Sequence, residues 1–142
     1  MRVLLAGVVV GLCTVPGGAA QLHCSFTEPF FSIAYDTATG KVILTSADEF
    51  DGDGNLVPRL LGENVKVVRE DKWKDFETLY LKAGDETILT IKITGQGSDG
   101  MSDNQYPFEG IYGERNIGGC ETDKIKSFDV YQLYEDFGVK YF

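Results

Sequence analysis

From residue 30 to residue 112 the apolar side chains alternate with polar ones in short runs, and Gly, Asp, Asn or Pro cuts each run before a helix could form. Residues 30–35 read as a strand, Asp36-Thr37-Ala38-Thr39-Gly40 as a turn and residues 41–45 as the returning strand of a hairpin. A second hairpin joins residues 76–82 to residues 86–94 through Ala83-Gly84-Asp85, with Leu79 and Leu81 on one face and Ile91 and Ile93 alternating with Lys92 and Thr94. Residues 64–69 and 106–112 add further strands, and residues 127–134 favour a strand over a short helix. Short antiparallel strands of this kind must bury one face and dispose of their edges. The predicted fold class is therefore all-β, a single-domain small antiparallel β-barrel or closed sandwich.

The start of the chain follows a different logic. Arg2 is followed by an apolar run from Val3 to Cys13, a break at Pro16-Gly17 and the small residues Gly18-Ala19-Ala20, which is the order of an export signal cleaved after Ala20. The run is shorter than the roughly 20 residues that span a bilayer, so the mature form is expected to carry no transmembrane anchor. Residues 1–20 are thus read as a signal peptide and residues 21–142 as one β domain, exported to a periplasmic or extracellular space.

The chain of 142 residues carries 13 basic and 22 acidic residues; loss of Arg2 leaves 12 against 22, a net charge of −10. Such a surface repels nucleic acid and anionic membrane and suits a cationic protein or a metal ion, although acidity also simply keeps an exported domain soluble. Past the signal only Cys24 and Cys120 remain. Export makes a disulfide their natural state, with a pair of buried free thiols as the alternative. Two cysteines and one histidine, His23 at the expected mature terminus, are too few for a soft-ligand metal site, and no cofactor is expected. Asp51, Asp53 and Asn55 begin like an EF-hand calcium loop, but Leu56 stands where that loop needs glycine and Gly62 where it needs glutamate. A Gly-Asp turn in a loop running to Pro58 is the plainer reading.

One stretch fits neither helix nor strand: Ser98-Asp99-Gly100-Met101-Ser102-Asp103-Asn104-Gln105-Tyr106-Pro107. Its Ser, Asp and Asn side chains suit backbone-bonded turns, Gly100 suits a reversal, and Pro107 keeps Tyr106 extended. Met101 is expected to tuck inward as an apolar plug. Together with Thr27-Glu28-Pro29-Phe30-Phe31 and Gly119-Cys120, this stretch resembles a family of bacterial cell-envelope proteins that pair a T-E-P-F-W start with S-D-G-M-S-D-x-x-Y-P and a late Gly-Cys. The members are variously described as membrane or heat-shock-like proteins without an agreed activity. The resemblance covers residues 27–120, leaving residues 121–142 as a C-terminal extension, and implies a small extracytoplasmic β domain. Phe31 replaces the family's usual Trp, and Gly97 stands where many members have a cysteine, a natural partner for the late one; here Cys24 must take that place if Cys120 is bridged.

Three functional readings follow. The first is a non-enzymatic envelope protein that binds another protein or a cell-wall component, with Ser98, Asp99, Gly100, Met101, Ser102, Asp103, Tyr106 and Pro107 as the binding loop. The second is an inhibitor of a lysozyme-type hydrolase, since Ser102-x-x-x-Tyr106 shares the spacing of the Ser-Gly-x-x-Tyr loop in periplasmic lysozyme inhibitors, with Asp103 in place of the glycine. The third is a small carboxylate-based hydrolase using a pair among Glu28, Asp99 and Asp103. Trp73, in the charged run Glu70-Asp71-Lys72-Trp73-Lys74-Asp75, is a further anchor for a partner if exposed.

Overall fold

The computed structural model describes residues 20–70, 77–125 and 135–138. The expected signal peptide before Ala20, Trp73 and the expected strand over residues 127–134 lie outside these residues. Among the described residues nine strands form one antiparallel sheet: β1 (Gln21–Phe26), β2 (Phe31–Asp36), β3 (Lys41–Phe50), β4 (Leu56–Gly62), β5 (Lys66–Glu70), β6 (Thr78–Ala83), β7 (Glu86–Gly97), β8 (Tyr106–Tyr112) and β9 (Asn116–Thr122). Their order is β4-β3-β2-β1-β9-β8-β7-β6-β5. The sheet is thus two meanders, β1–β4 and β5–β9, joined where β1 pairs with β9.

The all-β class holds, but the barrel does not close. β4 and β5 are consecutive in the chain and lie at opposite edges of the sheet, with no ladder between them. The reason lies in the link 63–65, which spends its polar groups elsewhere. Val65 donates its N–H to the Gly40 carbonyl at 2.8 Å and accepts the Tyr35 hydroxyl at 3.2 Å. Asn64 has φ of 50°, in the left-handed region that Asn tolerates better than most residues, so the strand expected over residues 64–69 starts only at Lys66. A side chain at Gly62 would lie 2.4 Å from Ile88 Cδ1, so the end of β4 comes back against β7. The sheet curls onto itself without zipping shut.

Curling lets one face of the sheet supply most of the core. Leu22, Cys24 and Phe26 of β1 alternate inward, as do Ile33 and Tyr35, Val42 and Leu44, Leu79 and Leu81, and Leu89, Ile91 and Ile93. Phe108 is the largest fully buried side chain among the described residues. Each such burial stabilises the fold by about 1.5–3 kcal/mol relative to exposure. Past β9, Phe137 stacks on Tyr35 at 6.0 Å and Lys124 pairs with Asp136 at 3.3 Å, so residues 135–138 are tied to the same core.

At the β1–β9 seam Cys24 stands directly opposite Cys120, and the two form a disulfide with S–S 2.02 Å. Ala20, immediately before the expected cleavage point, is buried, and its carbonyl accepts both the N–H and the hydroxyl of Thr37. His23 lies within β1, between Ala34 and Glu121, and not at a floppy end as its sequence position suggests. Paired strands on both sides hold it there.

Candidate functional site

The connection from β7 to β8 is built around one carboxylate. Asp99 Oδ1 accepts the N–H groups of Met101 at 2.9 Å and Ser102 at 2.8 Å, while Oδ2 accepts the Ser102 hydroxyl at 2.7 Å and the Tyr106 hydroxyl at 3.1 Å. Ser98 Oγ accepts the N–H of Gly100, and Ser102 Oγ accepts that of Asn104. Gly100 has φ of 83°, a conformation that costs glycine alone little. The Met101 N–H, then the Ser102 hydroxyl and N–H, hold the Asp99 carboxyl at about 2, well below its ordinary value. Burial, and then the hydrogen bond to Asp99, push the Tyr106 phenol above its ordinary value.

These shifts fix the sign of a pH response. A carboxyl whose pKa is depressed by folding stabilises the loop fully above the unfolded value of about 4, and loses that contribution as pH falls through about 2. The Met101 and Ser102 amide resonances are therefore expected to keep their positions on acidification to pH ~4 and to move only as pH approaches ~2. Asp99→Asn should shift both resonances at neutral pH and lower the Tyr106 pKa part of the way to normal, burial keeping the remainder. An NMR titration that leaves the variant's Tyr106 unchanged would count against the carboxylate as the organiser.

The other two motifs meet this loop. Thr27 donates its hydroxyl to the Asp99 carbonyl at 2.8 Å, and any side chain at Gly100 would lie 2.6 Å from Thr27 Oγ1. Residues 27–30 form the turn from β1 to β2, with a positive φ of 61° at Glu28 and a cis Glu28-Pro29 bond. Phe31 stacks on Phe26 at 4.5 Å and meets the edge of Tyr112. The Tyr106 ring covers Gly119, where a Cβ would lie 2.3 Å from Tyr106 Cδ2. Three stretches far apart in the sequence thus form one end of the molecule. Gly97 belongs to this packing: a Cβ there would lie 2.0 Å from the Phe108 carbonyl oxygen, so the backbone leaves no room for a cysteine, and Cys24 is the partner of Cys120.

Met101 does not plug the interior. It is 72% exposed, because Tyr106 on Gly119 and Thr27 under Gly100 already occupy the space behind the loop. Instead it forms one wall of an apolar trough of about 330 Å³, with Phe30 and Leu56, 48% and 47% exposed, as the other walls. The floor is a row of small side chains: Ser25 of β1 pairs with Ser32 of β2, which pairs with Thr45 of β3. Register shifts interrupt the ladders beside it, between Thr45 and Phe50 in β3 and between Ile93 and Gly97 in β7, and such bulges re-aim a strand end. The floor escaped sequence reading because outward Ser and Thr on strands look like ordinary solvent-facing residues.

The remaining sequence-derived positions do not line the trough. Asp51 Oδ1 accepts the N–H groups of Asn55 and Asp53, both at 2.9 Å, and these bonds, that of Asn55 first, lower the Asp51 carboxyl. Asp51, Asp53 and Asn55 thus make the turn of the β3–β4 hairpin. Among the described residues no three His, Cys, Asp or Glu side chains converge as metal ligands. Asp103 is exposed beside Ser102, and Glu28 is exposed in the β1–β2 turn. No family model, curated protein or solved structure matches the chain, so its function has to be argued from this site.

Proposed function

We propose that this protein is an exported, non-enzymatic binding domain of the cell envelope whose contact surface is the trough between Met101, Phe30 and Leu56. The observation that carries this reading is the outward Met101, held over an apolar recess by a loop organised around the Asp99 carboxylate, which accepts the Met101 and Ser102 N–H groups. A rigid loop presents its exposed side chain at little entropic cost, which is what a binding surface needs. The Cys24–Cys120 disulfide fits an oxidising compartment, and with the leader-like residues 1–20 it supports a periplasmic or extracellular location. The resemblance to cell-envelope proteins points the same way, since its motifs surround the trough.

Lysozyme inhibition through Ser102 and Tyr106 would require both hydroxyls to leave Asp99, so Met101 is the better contact residue. Catalysis by Asp99 as a proton donor is disfavoured for the same reason: with its carboxyl at about 2 it stays ionised at neutral pH. The trough reading is tested with a neutral apolar dye, N-phenylnaphthylamine. The purified protein is expected to bind the dye at one site, and Met101→Asp to weaken binding by at least about tenfold while leaving the melting temperature unchanged. Absence of dye binding, or binding indifferent to Met101→Asp, would remove this function.

A further inference from the structure

The trough is apolar inside and flanked by charge of one sign. Glu28 and Asp48 adjoin lining residues in the chain, Asp99 lines the trough itself, and Asp103 is two residues from Met101. No Lys or Arg stands within two residues of any lining position. Arg59, the nearest cation along the chain, lines a neighbouring recess that shares Phe31 with the trough, and Glu49 lines that recess with it. The whole chain carries a net charge of −9, so the local field and the global one have the same sign. Uniform charge around an apolar recess selects its occupant: it attracts cations, slows the approach of anions and leaves neutral ligands unaffected.

Resting on the trough reading above, we infer that the occupant is a segment of a basic protein, a Leu- or Phe-type side chain flanked by Lys or Arg, seated between Met101, Phe30 and Leu56. The apolar side chain would fill the recess over Ser25, Ser32 and Thr45, and the flanking cations would lie against Glu28, Asp48 and Asp103. A second copy of this chain is a poor occupant, because pairing would bring like-charged surfaces together. An anionic bilayer is a poor one for the same reason.

The experiment displaces N-phenylnaphthylamine from the purified protein with three peptides that share a Leu-Phe centre and are flanked by lysines, by serines or by glutamates. The lysine peptide is expected to displace the dye at concentrations at least about tenfold lower than the serine peptide, and the glutamate peptide to be the weakest. Raising the ionic strength from about 0.01 M to about 1 M shortens the Debye length from about 30 Å to about 3 Å and should erase the lysine advantage. The combined substitutions Glu28→Gln, Asp48→Asn and Asp103→Asn should erase it at low salt. If the dye binds but the three peptides compete equally, the basic-partner inference falls and the trough stands. If the dye does not bind, both fall.

Discussion

Removal of the disulfide through the double substitution Cys24→Ala and Cys120→Ala is expected to lower stability by about 4 kcal/mol. The bridge closes a loop of 96 residues, and cross-linking so long a segment restricts the unfolded chain by about 4–5 kcal/mol on a chain-entropy estimate. Its position adds to the effect. Both cysteines are fully buried, and they join the two meanders at their one shared ladder. Gly110 lies beneath them, where a Cβ would be 2.4 Å from Cys120 Sγ, so the sulfurs fill space that alanine leaves empty. Alanine is preferred to serine because it buries no new hydroxyl. In denaturant titrations the midpoint should fall sharply and the m-value should rise, since the unlinked chain exposes more surface on unfolding. A loss below about 1 kcal/mol would mean that the β1–β9 ladder and the core hold the seam without the bridge.

Phe108→Ala is expected to cost about 3–5 kcal/mol, the range for a fully buried aromatic whose cavity cannot collapse. Phe108 is 0% exposed and sits in the middle of the second meander, opposite Ile93 of β7 and opposite Cys120 of β9. Its backbone is equally constrained, with Gly97 packed on its carbonyl oxygen. Neither neighbouring strand can move in without breaking a ladder, so the void should persist. Because Phe108 and Cys120 are register partners, the two losses should not add, and a double-mutant cycle should return a coupling energy of about 0.5–3 kcal/mol. Chemical denaturation of the single and combined variants measures it. A Phe108→Ala loss under about 1.5 kcal/mol would show that the core repacks around the site.

The sequence disclosed those strands that bury one face and are bounded by turns. The hairpins β2–β3 and β6–β7, and the strand β8 after the loop, alternate visibly because one face is core and the other solvent. β4, with the sequence LVPRLLG, does not alternate, because at the sheet edge it is exposed on both faces over most of its length and even accommodates Pro58. β9, NIGGCET, lacks the side chains that mark a strand because its neighbours fill the space: the Ser25 carbonyl and the Phe26 ring crowd Gly118, and the Tyr106 ring covers Gly119. β1 alternates Leu22, Cys24 and Phe26, yet follows directly on leader-like residues and shows its partner only through the long-range pairing with β9. Met101 was misplaced for a similar reason. Local composition says that an apolar residue among turn formers goes inward, while the space behind the loop is claimed by residues from other strands.

The two-meander plan also means that covalent continuity and structural continuity run along different routes. The peptide link 63–65 joins the sheet's outer edges, while Cys24–Cys120 joins its middle. Glu63 and Asn64 in that link are exposed. A protease cutting between them would leave two interlocking pieces, one of four strands and one of five, still sharing a single core and fastened to each other by sulfur. Such a nicked molecule would come apart only when its disulfide was also reduced and its central ladder lost.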